Sequence, residues 1–391
     1  MYKNYREEQQ ELLPEFIFNE NNEVDIFKNN NFYLNEMLQA DITVKLLKQY
    51  ILVAGVNYEN LRHKLKSYCE NRMERWKRIN SSKSDLRFII FDFVGGTVET
   101  YDVTYPAGKQ MVSKKMDNKF TPVTAASYER VEKNHAYGFK NGQTGVMSIL
   151  DIYAAVQEIG KANAGSLMEL SFFSHGWMGG PVLVNSCDKW DRNSNCYYST
   201  DKPERDPDDK DPRTYKDFTS KNMSAAAQLH FKNAFHTNGF TWLWGCTFTK
   251  SYFLTLNKLV SKYGVNSLTD SKAIKLNYST TEINLIWNCD KTGECSSTPV
   301  TWDTDFKTIK QYLCEGINST YAVALAKASG KKTYAALLGT YSVYESSSST
   351  RNPLMTVKGF TAIKKFYKKY FYMDVDPAGL GYGTYAPYPV C

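Results

Sequence analysis

Two apolar runs, each ending in a glycine beside a reactive side chain, constrain the fold most tightly. Leu167 to Gly180 reads Leu-Met-Glu-Leu-Ser-Phe-Phe-Ser-His-Gly-Trp-Met-Gly-Gly, and Phe240 to Tyr252 reads Phe-Thr-Trp-Leu-Trp-Gly-Cys-Thr-Phe-Thr-Lys-Ser-Tyr. Both are short, aromatic and nearly continuous in apolar character, as expected of strands covered on both faces. His175 with Gly176 closes the first run, and Gly245 with Cys246 closes the second. As parallel neighbours, they bring a histidine and a cysteine to the carboxyl edge of one sheet, where open α/β sheets hold their ligands. A thiol with a base in reach is the minimum of a nucleophilic site.

The flanking segments fit alternating strands and helices. Leu86 to Val94 is a third apolar run, stopped by Gly95 and Gly96, and Thr97 to Tyr105 alternates enough to return as a hairpin. Residues 106–142 are polar and irregular. From Thr144 onward Val146, Ile149, Leu150, Tyr153, Val156 and Ile159 line one helical face, leading into the His175 strand as a parallel crossover. Ser224 to Phe235 reads as a helix before the Cys246 strand, and Thr249 to Gly264 as a helix after it. Residues 273–288 read as two short strands, and residues 305–328 as a helix. Lys332 to Tyr344 reads as a buried strand, with Gly339 and Tyr341 at the same sheet edge. Phe360 to Tyr372 fits a strand or a basic aromatic helix. The expected class is α/β, a three-layer sandwich around a mostly parallel sheet.

Earlier in the chain, Ile42, Leu46, Leu47 and Ile51, then Leu61, Leu65 and Tyr68, recur at helical spacing over residues 39–80. Ser81-Ser82-Lys83-Ser84 reads as a linker. The expected organisation is a helical amino-terminal extension over 1–84, a catalytic domain over 85–345, and a strand or helix with a Gly/Pro/Tyr-rich tail over 346–391. The acidic run Asp201 to Asp217 lacks EF-hand spacing and reads as a solvated loop.

With 391 residues, 42 % of them apolar and 14 % aromatic, the chain can build a sizeable core, which excludes a disordered protein. A net charge of +7 is mild, and the basic stretches Arg62 to Arg87 and Lys364 to Lys369 read as solvated helix faces, so no nucleic-acid partner is expected. Tyr50 to Val56 is too short to span a bilayer. The first residues lack the apolar core of a signal peptide, so the expectation is a soluble cytoplasmic protein, any export using a signal-peptide-independent route. Of eight cysteines, Cys187 with Cys196 and Cys289 with Cys295 lie close together in polar segments. Each pair either clips a loop or stays reduced. Cys69, Cys314 and Cys391 read as incidental. No finger spacing and no P-loop occurs, so no metal or cofactor is expected.

At the site, Cys246 at a helix start would gain thiolate stability from backbone N–H groups and the helix dipole. His175 would serve as base, and the Gly176 and Cys246 N–H groups as an oxyanion pair. The order strand–Ser-His-Gly, helix, strand–Gly-Cys resembles the caspase-like (clan CD) cysteine peptidases. Leu-Trp-Gly-Cys-Thr-Phe at 243–248 is most similar to the self-cleaving cysteine protease domains of bacterial toxins. The resemblance covers roughly residues 85–345 by order of elements. It implies a caspase-like fold, a peptide or protein substrate, Cys246 as nucleophile, His175 as base and Gly176 as oxyanion donor. It also implies an acidic residue orienting the histidine, for which Asp92 is the first candidate and Asp102 the second. Gly245, Gly339 and Tyr341 are assigned to the substrate-binding edge. Phe-Ser-His-Gly-Trp-x-Gly-Gly also resembles the oxyanion loop of α/β-hydrolases, but Gly245 to Phe248 lacks the second small residue of an elbow and no histidine follows His236. The rival of a different class is a non-enzymatic scaffold or cargo protein of a bacterial secretion or injection apparatus on the same fold.

Overall fold

Lys48–Ala54 is a strand (β1), and every side chain after Lys48 is buried. The helix expected over residues 39–80 is confined, among the described residues, to Lys66–Ile79 (α1). Tyr50, Ile51 and Val53 are the β-branched and aromatic types that pack well on a pleated surface, and with both faces covered this outweighs the helical spacing. The structure, a computed structural model, describes residues 47–61, 64–131, 136–191, 195–197, 202–287, 295–344 and 352–389. The arm expected over residues 1–38 lies outside them.

The remaining strands of the main sheet are β2 (Leu86–Asp92), β3 (Thr97–Thr104), β4 (Met111–Asp117), β5 (Leu167–Phe173), β6 (Phe235–Leu243), β7 (Thr333–Ala335) and β8 (Gly383–Tyr385). They stand in the order β8-β7-β6-β5-β1-β2-β3-β4. The five inner strands β7, β6, β5, β1 and β2 are parallel, whereas β8 pairs antiparallel at one side and β3 and β4 at the other. Numbered along the chain, the parallel strands run 2-1-3-4-5, an order of doubly wound sheets whose ligand crevice opens where the order reverses. Here the reversal lies between β1 and β5.

The helices that follow α1 are α2 (Ile149–Ala162), α3 (Ala225–Asn233), α4 (Lys250–Tyr263), α5 (Thr280–Trp287), α6 (Phe306–Asn318), α7 (Tyr321–Ser329) and α8 (Thr361–Phe371). β1 serves two cores by alternation. Ile51 and Val53 join the core that includes buried side chains of α2, α4, α6, α7 and α8, and Tyr50, Leu52 and Ala54 join the core under α1. The result is a three-layer α/β sandwich. Under α1 the Arg72 guanidinium lies over the rings of Trp76, Trp242 and Trp244 and bonds the fully buried Glu169 at 3.0 Å. Glu169 also accepts from Trp76 Nε1 and Ser171 Oγ. A charge this deep persists only when it is paired and hydrogen-bonded.

Several expectations need correction. Since β1 sits mid-sheet and β8 pairs with β7, neither residue 84 nor residue 345 divides one sheet from another. Within the polar stretch 106–142, Met111–Asp117 forms the exposed edge strand β4. Ala273–Tyr278 pairs antiparallel with Val300–Asp305, and the rest of that expected strand pair is α5. Phe360 to Tyr372 resolves as the helix α8. The acidic run is not solvated: Asp209, Asp211 and Asp217 are buried. Asp211 accepts the N–H groups of Leu183, Val184 and Ser186 at 2.6, 2.9 and 2.6 Å, and Asp209 and Asp217 pair with Arg213 and Arg205. These carboxylates satisfy backbone donors that loop burial would otherwise orphan. Cys187, Cys295 and Cys314 are disulfide-bonded, so Cys314 is not incidental, and Cys69 and Cys246 are free thiols. The side chain of Cys196, and Cys289 and Cys391, lie outside the described residues. Among the described residues no helix is long and apolar enough to cross a membrane.

Candidate active site

β5 and β6 are in register, Phe172 opposite Leu243. Beyond the paired residues the two ends stay together, Gly176 against Cys246 and Gly245 against Ser174 and His175. The two strand ends meet backbone to backbone. A Cβ on Gly176 would stand 2.7 Å from the Cys246 carbonyl oxygen, and one on Gly245 would stand 2.7 Å from that of Ser174. Contacts under 3 Å leave no room for a side chain, so both motif glycines are steric requirements of this approach. Gly245 is buried. After His175 the chain folds back as a short hairpin, His175–Trp177 against Gly180–Val182.

His175 is held from β1. Asn57, in the turn that follows that strand, places Oδ1 2.9 Å from His175 Nε2. The same Oδ1 accepts the Asn60 N–H at 3.0 Å. With that oxygen as acceptor, Nε2 carries the ring proton it donates. The Tyr58 ring packs 4.7 Å from the imidazole, and the Tyr344 hydroxyl lies 3.5 Å from Nε2. Asp92, expected to orient the histidine, instead accepts the Gly95 N–H and lies 3.8 Å from Lys66, closing the β2–β3 turn. Asp102 is engaged by Arg87 through two bonds of 2.6 and 3.0 Å. The side chain hydrogen-bonded to His175 Nε2 is the Asn57 amide.

Cys246 is half-buried. Its Sγ lies 3.9 Å from Ser342 Oγ and 4.0 Å from Ser342 O. Burial pushes the thiol above its ordinary value, the Ser342 contacts oppose this, and the negative charge of Glu59 adds to the upward push. The helix expected from Thr249 to Gly264 runs over Lys250–Tyr263 with Thr249 as N-cap, so Cys246 stands ahead of the helix rather than at its start. Dipole stabilisation falls off within the first turn, so little of it reaches the sulfur. Burial thus favours the neutral thiol over the thiolate. Among the described residues the Cys246 N–H donates to no acceptor, as an oxyanion donor requires.

Gly339, assigned to the substrate edge, adopts a φ of +83° and spends its N–H on Thr247 O at 3.0 Å. It ties the loop after β7 to the loop after β6, and that tie delivers Tyr341, Ser342 and Tyr344 to the site. Only Thr333–Ala335 of the expected strand pairs in the sheet. Tyr341 is 44 % exposed on the rim, its ring edge-on to Phe248 and Phe360. The chain matches no protein-family model, no curated protein and no solved structure.

Asn57, Tyr58, Ser342 and Tyr344 carry no motif of their own. For Asn57 a signal existed: Tyr50 to Ala54 followed by Gly55 repeats the pattern of an apolar run stopped by glycine. Among the described residues no group of three or more His, Cys, Asp or Glu side chains can hold a metal ion. A cavity of about 440 Å³ lies at the opposite, amino-terminal end of the strands, lined by Gly165, Phe235 and Lys331 among others, and includes neither His175 nor Cys246.

Proposed function

We propose that the protein is a cysteine hydrolase of caspase-like architecture that cleaves a peptide bond with Cys246 as nucleophile and His175 as base. The observation that carries the reading is the meeting of the β5 and β6 ends, Gly176 against Cys246 and Gly245 against Ser174 and His175, at the carboxyl edge beside the reversal of strand order. The Sγ proton passes to His175 Nδ1 as sulfur bonds to the substrate carbonyl carbon. The negative oxygen that forms is held by the Cys246 N–H, with Gly176 N–H as second donor. The imidazolium then protonates the leaving amine as the C–N bond breaks, and water hydrolyses the thioester with His175 again as base. Asn57 accepts from Nε2–H throughout and keeps the ring in the required tautomer.

Disulfide-bonded Cys187, Cys295 and Cys314 favour action in an oxidising compartment over the cytoplasm. The test is labelling of the full chain with a peptidyl acyloxymethyl ketone, comparing wild type, Cys246→Ala and His175→Ala. Rapid labelling that both substitutions abolish supports the hydrolase. Slow labelling indifferent to His175 points to the scaffold protein instead.

A further inference from the structure

We propose that the groove between α3 and α7 binds a free long-chain carboxylate, an anion with an unbranched apolar tail. The inference goes beyond the hydrolase reading and stands independently of it.

A cavity of about 550 Å³ opens between the two helices, with residues 214–223 as its third wall. That volume is ordinary for a small-molecule pocket. The helices lead into β6 and β7, which are parallel, so they run side by side in one direction. The space exists because α7 turns Ala324 and Ala328 to it, one helical turn apart. Larger side chains there would fill it, and interiors are normally packed without such voids. Phe218, Met223 and Phe231 give the cavity an apolar lining, the two phenylalanine rings 5.6 Å apart. Leu229 lines it too and is 56 % exposed, an apolar side chain left in water.

Charge is confined to one end. Lys232 stands in the last turn of α3 and Lys327 in the last turn of α7, and both line the cavity. Among the described residues neither ammonium makes a hydrogen bond or an ion pair, and no carboxylate lines the cavity. The dipoles of the two helix ends favour lysines there, but they do not account for an apolar groove left open beside them. The Gln228 amide, also in the lining, is spent on Met223 O at 2.9 Å. A ligand that answers both halves has one negative end and a plain hydrocarbon chain. Its carboxylate meets Lys232 and Lys327, and its tail runs past Ala328 and Ala324 toward Met223 and Phe218. A peptide would bring backbone groups that an alanine and phenylalanine wall leaves unpaired.

The full chain is titrated calorimetrically with octanoate, decanoate and dodecanoate below their micelle-forming concentrations, and with dodecyltrimethylammonium as the charge-reversed probe. Dodecanoate is expected to bind saturably, each methylene added from octanoate upward tightening the complex about two- to fourfold. Dodecyltrimethylammonium should bind about tenfold more weakly or worse. Lys327→Glu, at an exposed position, should weaken dodecanoate about fivefold, and Ala328→Leu, which fills the groove, should weaken it further. Thermal unfolding checks that both variants are folded. No saturable heat with dodecanoate, equal binding of the two charges, or an affinity unchanged in both variants would overturn the proposal. So would sedimentation of the protein with anionic phospholipid vesicles that Ala328→Leu abolishes, since the groove would then be a membrane contact. Vesicles that leave the protein in solution support the free ligand.

Discussion

Asn57 Oδ1 accepts from His175 Nε2 at 2.9 Å across the β1–β5 boundary. On the proposed mechanism this bond makes Asn57 a positioning residue. Asn57→Ala should lower kcat about ten- to hundredfold, part of what a positioned base contributes, with KM little changed. Asn57→Asp should raise the imidazolium pKa by placing a carboxylate on its N–H. The acidic limb of the pH–rate profile then moves to higher pH. A profile identical to wild type in both variants would show that the bond does not orient the base.

Gly176→Ala places a methyl 2.7 Å from Cys246 O and 3.2 Å from Cys246 N. The strand ends must part, at about 1–3 kcal/mol of stability as for other overpacked sites. Cys246 labelling should fall with it. Thermal unfolding and probe kinetics on the same preparation check this.

Glu169→Gln removes the negative partner of buried Arg72 and should destabilise by about 3–5 kcal/mol, read by urea denaturation. Replacing both residues with apolar ones of similar volume should cost less than the single change. Cys246 labelling of the folded fraction should be unaffected, because Glu169 lies toward the amino-terminal end of β5, away from the strand end that carries His175.

Burial raises Asp209 from 3.8 to about 6, against the pull of Arg213 and Arg205. A carboxyl raised in the folded state contributes stability that is full below its unfolded value and lost as pH rises through its folded value. The advantage of wild type over Asp209→Asn should therefore shrink between about pH 4 and pH 7. Asp211 and Asp217 are raised in the same direction by burial. Denaturation at a series of pH values tests this, and an advantage that grows with pH would reverse the sign.

Without reductant, iodoacetamide should modify native Cys246 before the fully buried Cys69, and both once the chain is unfolded. Peptides holding Cys187, Cys295 and Cys314 should be modified only after reduction. Mass spectrometry of the digests distinguishes the two classes.

The strands ending at His175 and Cys246 were legible because continuous apolar runs stopped by glycine have few other readings. β1 was not, because Leu46, Leu47 and Ile51 satisfy a helical spacing by accident and only the neighbours on both faces decide. The histidine's partner was sought among acids, yet Asp92 and Asp102 are drawn off by Gly95 and Arg87. Those competing bonds depend on the sheet, not on local sequence. The acidic run was misjudged for the same reason. Its carboxylates are buried because residues 183–186 present N–H groups that need acceptors, a demand invisible until the hairpin after His175 is folded.

The place of β1 in the sheet sets a timetable for synthesis. As the nascent chain leaves the ribosome, Lys48–Ala54 acquires β2 early, but its other edge stays open until Leu167–Phe173 has been made. An apolar strand with one open edge is a template for pairing with the wrong chain, and late non-local parallel pairing is slow. Asn57 travels with β1, so the histidine acquires its partner only when this seam closes. Until it closes, an apolar strand edge stays open and His175 lacks its bond to Asn57.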